Sequence, residues 1–237
     1  MNGTNHLLRI MLDPDDYLHP ARVTMAAASW RTLSKVSRNT IIFAEHGLHT
    51  ASPDVIPTDP PTSALLRCWN AIPDLCLLLG LFSQRADWLA SGQYRRLDGR
   101  RRRFLELPLP HRAVPPCARA GKVDPAVCGL AALRLAIPGM HEVIAERLGL
   151  LFSARTDADA TALSTQLQRA SPVGYRGWIS HTLLSMATSY AQPLTQDLWG
   201  SPDAGSRRGV PAFGSASRQP TPRLGRNGQE DRQAHRR

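Results

Sequence analysis

The 237-residue chain carries a net charge of +10 and 42 % apolar residues, enough for one sizeable domain or a domain with a tail. The basic excess is unevenly placed. Residues 1–94 hold seven basic and eight acidic side chains, and residues 104–199 hold eight and seven. Residues 95–103 hold six Arg against Asp98, and residues 200–237 hold eight Arg against three acids. A near-neutral body with one basic run and one basic tail argues against a broad phosphate-binding face. Arg outnumbers Lys 27 to two throughout, a bias present in every segment and so attributed to base composition of the gene.

Taken in chain order, Met1–Met11 has no charged lead followed by a long apolar run and does not read as a signal peptide. Asp13-Pro14-Asp15-Asp16 signals a turn or a helix start. Val23, Ala27, Trp30 and Leu33 fall on one face of a helix of about four turns. Residues 50–62, with four prolines, read as an irregular connection. His46 and His49, just before it, have HxxH spacing, but Gly47 and the prolines put them on a loop, where a solvated role outweighs a metal site.

Leu65, Trp69, Ile72, Cys76, Leu79 and Phe82 repeat at three to four residues. Pro73 interrupts them, so two helices meeting near Ile72, or one kinked there, are expected. The pattern continues through Trp88 and Leu89 and stops at Ser91-Gly92. Its longest purely apolar stretch, Leu75–Phe82, is too short for a membrane span, which needs about 20 residues. The Arg run follows, read as a basic loop: Arg95, Arg96, and then Arg100, Arg101, Arg102 and Arg103. It suits a solvated loop, an acidic protein face or a nucleic-acid backbone. Only Tyr94 and Phe104 at its edges could stack on bases. A minor strand near Phe104–Leu107 and a proline-rich link over Pro108–Pro116 come next.

Leu130, Leu133, Ile137, Met140, Ile144, Leu148 and Leu151 define a second helical block, broken at Pro138-Gly139. Thr156-Asp157-Ala158-Asp159 supplies helix-start caps for a helix to about Arg169. Pro172–Gly177 is a turn. Trp178–Tyr190 is amphipathic, and Pro193–Trp199 adds a further turn. With Leu and Ala dominant and no period-two alternation, the class is all-α: one irregular helical domain over 1–199 and a disordered Arg/Gly/Ser/Pro-rich tail over 200–237.

No glycine-rich phosphate loop, nucleophile elbow or paired-carboxylate template is present, so no catalytic residue, cofactor or metal ligand is assigned. Cys68, Cys76, Cys117 and Cys128 form no CxxC pair. Cys117 and Cys128 with His111 fall short of the closely spaced ligand pairs of a structural zinc, Cys68 and Cys76 suit a buried helix face, and free thiols fit a reducing compartment.

The string Leu12-Asp13-Pro14-Asp15-Asp16-Tyr17-Leu18-His19-Pro20, followed by Trp30, resembles the opening of the accessory cytoplasmic proteins of bacterial type III secretion systems called SctK, or YscK in one system. Their start has a short apolar strand-like lead, a Pro, a Tyr-Leu-His and a later Trp. Leu65–Gly92 is similar to the family's leucine-rich central helix. Cys128–Leu151, with Gly129-Leu130-Ala131 and Arg147-Leu148, is similar to its second helical block. The Arg run and the basic tail depart from that pattern.

The resemblance implies a non-enzymatic adaptor of the sorting platform at the cytoplasmic face of the bacterial inner membrane. It would bridge the C-ring-like SctQ component to the ring protein SctD and be held to the membrane through other proteins. Tyr17 and His19 are then candidate partner-binding residues, and the charge pattern by itself adds Arg100, Arg101, Arg102 and Arg103. The alternative is a basic helical protein bound to nucleic acid through the Arg run and tail.

Overall fold

Six helix starts are set by short polar side chains, each accepting a backbone N–H in the first turn. Ser34 accepts from Ser37, Asp59 from Thr62, Asp98 from Arg101, Asp124 from Ala126, Ser153 from Thr156 and Ser180 from Leu183, at 2.8–3.1 Å. The computed structural model describes residues 3–52, 56, 59–108, 123–170 and 179–191. The chain separates into two units, Met1–Trp199 and Gly200–Arg237, and all the described residues belong to the first.

About three quarters of the described part is helical (75 %) and no strand occurs in it. The helices are α1 (Gly3–Leu12), α2 (Ala27–Thr32), α3 (Lys35–His46), α4 (Pro60–Arg67), α5 (Ile72–Ser83), α6 (Arg85–Ala90), α7 (Gly99–Glu106), α8 (Pro125–Ala136), α9 (Glu142–Leu150), α10 (Ala154–Ala170) and α11 (His181–Tyr190). The all-α expectation therefore holds.

The centre is the α5–α8 pair. A Cβ built on Gly80 would lie 1.7 Å from the Pro125 carbonyl oxygen, and one on Gly129 would lie 1.7 Å from that of Cys76. Rising residue numbers on one helix meet falling numbers on the other, so the pair is antiparallel and its backbones touch directly at two reciprocal points. Only glycine allows that approach. Leu75, Leu78, Leu79, Leu81 and Phe82 are at most 3 % exposed, as are Cys128, Leu130, Ala131, Ala132 and Leu133.

Two apolar clusters flank this pair. One gathers α1, α4, α9 and α10 against Ile72, Cys76, Leu130 and Ala131. The other gathers Phe104 and Leu105 of α7 and Leu183 and Ala187 of α11 against Leu75, Leu78 and Leu79. The Phe104 ring packs at tilted angles on Phe82 (6.0 Å between centroids) and Tyr190 (5.5 Å).

Pro73 falls in the first turn of α5, where its missing N–H costs nothing, and a short 3-10 turn at Trp69–Ala71 joins α4 to it. No single described helix is long and apolar enough to cross a membrane. α4 and α5 together pass by composition, but the break between them bends 76°.

Several expectations are corrected. The Val23–Leu33 face is not one helix: Val23 is extended, α2 spans only Ala27–Thr32, and Leu33 is extended again. The Ser34 cap then starts a separate helix, α3, ended by Gly47 in the left-handed conformation (φ +57°). His46 is the last residue of that helix rather than part of a loop. The lead before Asp13 is helical, not strand-like. Phe104–Leu107 is no strand, since Phe104 and Leu105 are the buried face of α7.

The Leu65–Leu89 pattern is broken at Gln84, where α6 begins, and Gly92 ends it at φ +67°. α10 is capped by Ser153, and Asp157 lies inside the helix. The breaks at Pro138-Gly139 and near Ile72 stand as expected. The Pro172–Gly177 turn, Trp178, Pro193–Trp199, His111, Cys117 and the tail lie outside the described residues.

Candidate functional site

The residues singled out in the sequence divide into a buried group near the N-terminus and an outward-facing group on α7. Tyr17 is 7 % exposed. Its hydroxyl donates to the Ile10 carbonyl (2.6 Å), and its ring meets Trp69 edge-on at 5.6 Å. Burial pushes its phenol pKa up. The ring locks the end of α1 onto α4–α5. His19 is half-buried: its backbone N–H donates to the Leu150 carbonyl, and its Nδ1 accepts the Ala21 N–H, starting a 3-10 turn. Burial, then the nearby Arg22 cation, hold its pKa below the ordinary value. Both residues hold the N-terminal segment against the helical body.

Arg22 extends that clamp. It donates to the Phe152 carbonyl (2.6 Å), the Gly149 carbonyl (2.8 Å) and Asp157 (2.7 Å). Arg134 of α8 reaches the other Asp157 oxygen at 2.5 Å, so one carboxylate joins the N-terminal segment, α8 and α10. Arg147 stands out in the sequence only as part of a family-like stretch, yet it is fully buried. Its Nε and Nη2 donate to the Met11 carbonyl, Nη2 to the His49 carbonyl (2.8 Å) and Nη1 to the Val143 carbonyl. The guanidinium also lies 5.6 Å from the Phe43 ring centre. Its position, three residues after Ile144 and seven after Met140, is the available signal: an Arg on an apolar stripe.

The Arg run is not a loop. Arg95 and Arg96 close a 3-10 turn, Gln93–Arg96, and Arg100, Arg101, Arg102 and Arg103 lie in α7. The Asp98 cap and the burial of Phe104 and Leu105 fix the rotation of α7. That rotation splits the run. Arg100 and Arg101 turn inward and share Asp74 in the first turn of α5, at 2.7 and 3.3 Å. Arg100 also donates to the Tyr190 carbonyl, tying α7 to α11. Arg102 and Arg103 are exposed, as are Arg95 and Arg96. The Tyr94 hydroxyl donates to Glu106, which holds the Gln93–Arg96 turn beside α7. Among the described residues, Arg95, Arg96, Arg102 and Arg103 enter no ion pair.

His46 and His49 do not converge. His49 is exposed and pairs with Glu146 at 2.6 Å, which raises its pKa, while burial lowers that of His46. Among the described residues no group of His, Cys, Asp or Glu is arranged to hold a metal ion. Cys76 and Cys128 are buried, the Cys128 sulfur accepting from the Gln84 amide, and burial pushes the Cys76 thiol up, away from reactivity.

No curated protein and no solved structure matches the chain. A family model described as a bacterial type III secretion apparatus protein (OrgA_MxiK) matches residues 7–193. That span runs from α1 through α11 and includes both the N-terminal clamp and α7. The chain therefore belongs to the OrgA_MxiK, or SctK, family of the bacterial type III secretion apparatus.

Proposed function

We propose that the protein is a non-enzymatic adaptor of the type III secretion sorting platform, bridging the C-ring-like SctQ component to the ring protein SctD on the cytoplasmic side of the inner membrane. The observation that carries this reading is the family match over nearly the whole helical unit. The side-chain chemistry supports it. The buried Arg147 and the half-buried Asp157 are engaged in joining helices, while α7 turns Arg102 and Arg103, which enter no ion pair among the described residues, outward. An adaptor needs that division between a fixed body and polar outer faces that meet partners. In this reading, virulence depends on the protein only through the assembly that it completes.

The test is genetic and biochemical. The purified chain is expected to co-elute with the SctQ component of the same bacterium, and a clean deletion is expected to abolish effector secretion. Normal secretion from the deletion strain would overturn the reading.

A further inference from the structure

The segment 93–106 sorts its own charges. Asp98 and Asp74 neutralise Arg101 and Arg100, and Glu106 accepts the Tyr94 hydroxyl. Arg95, Arg96, Arg102 and Arg103 are left as exposed cations on two elements that the Tyr94–Glu106 bond holds together. The chain has no surplus acid with which to cover them: it carries +10 overall, and residues 200–237 hold eight Arg against three acids. A partner that covers this face therefore needs negative charge to complement it.

Two features select the kind of partner. Single-stranded nucleic acid is gripped by aromatic rings on which bases stack. Here Phe104 is wholly buried, and Tyr94 is half-buried with its hydroxyl engaged. A duplex presents an unbroken line of phosphates. The exposed carboxylate of Glu106 lies between Arg102 and Arg103 around the helix, where it repels phosphate but can accept from a polar or basic side chain. Mixed, mostly acidic polypeptide fits that pattern. We propose that Arg95, Arg96, Arg102 and Arg103 form a docking surface for an Asp/Glu-rich segment of a protein partner. The inference rests on the adaptor reading and adds the chemistry of one of its contacts.

The full-length chain would be titrated against fluorescent poly-L-glutamate and, in parallel, labelled duplex DNA, by anisotropy at low salt. The face variant R95Q/R96Q/R102Q/R103Q would be compared with a tail variant of equal charge loss, R207Q/R208Q/R218Q/R223Q. The face variant is expected to bind poly-glutamate about tenfold or more weakly than wild type, as for loss of a complementary charge cluster, with a clearly smaller change in the tail variant. Equal weakening in the two would reduce the effect to net charge and overturn the proposal. Tighter binding of DNA than of poly-glutamate, lost with the same four arginines, would overturn it in favour of nucleic acid.

R102Q/R103Q alone, at two exposed sites without ion pairs, guards against misfolding of the fourfold variant and should give part of the loss. In the bacterium, a deletion strain that secretes normally would overturn the adaptor reading. If the deletion abolishes secretion but the face variant, accumulating at wild-type level, secretes normally, the docking surface alone fails.

Discussion

Replacing Arg147 by Met removes a cation that joins three parts of the chain while keeping most of its volume. Wild-type Arg147 satisfies the Met11 carbonyl at the end of α1 with two donors, the His49 carbonyl after α3 with one, and Val143 of its own helix with another. In R147M the Met11 and His49 carbonyls lose these buried donors. Each orphaned acceptor costs about 1–3 kcal/mol, so the expected loss is about 2–6 kcal/mol. Domains of this kind hold about 5–15 kcal/mol in total. R147A adds an empty volume and should be worse, whereas R147K retains a charge but reaches fewer carbonyls and should fall between R147M and wild type. The assay is urea unfolding followed by circular dichroism. With a slope of about 2 kcal/mol/M, a loss of about 4 kcal/mol lowers the midpoint by about 2 M. A loss below about 1 kcal/mol in R147M would refute the view that this side chain holds the N-terminal segment to α9.

Other substitutions probe different links. Gly129→Ala would drive a methyl into the Cys76 carbonyl, so it should cost about 3 kcal/mol or more and lower the melting temperature sharply. Gly139→Ala, where a Cβ meets open space, should be neutral in the same melt. His49 is held protonated by its hydrogen bond to Glu146, then by that carboxylate's charge, with Glu142 adding and Arg147 opposing. Its folded pKa is above the unfolded value, so its stabilisation is full below about pH 6.5 and is lost as pH rises through the raised pKa. H49A should flatten the stability–pH curve over that window, and an unchanged slope would refute the link. Cys76 and Cys128 should resist iodoacetamide in the native protein and react after denaturation. Mass spectrometry of the two peptides checks this, and rapid native labelling would contradict their burial.

The α5 and α8 helices were legible because Leu65–Phe82 and Leu130–Leu151 repeat at helical spacing on faces that are buried on folding. α7 was not, because four consecutive Arg obscure an amphipathic pattern of which only Phe104 and Leu105 are apolar. Its one signal was Asp98, placed three residues before the N–H that it caps. α3 is not legible because Ser34, its cap, looks like any serine until the backbone turns there. The sequence offers Asp157 as a cap because its true partners, Arg22 and Arg134, are distant along the chain, and no local pattern carries such a pairing. The split of the Arg run into inward and outward halves depends on where Asp74 lies, which is a property of the packed α5–α7 pair.

The two glycine contacts between α5 and α8 also set an order of events during synthesis. α5 is apolar on nearly every side and is covered chiefly by a helix encoded roughly fifty residues later. At about 5–20 residues per second, the ribosome leaves α5 without that cover for several seconds. During that interval no side chain of α5 can substitute for the missing backbone of α8. The nascent chain therefore carries an apolar helix before the helix that covers it has been made, an interval in which such surface is prone to aggregate.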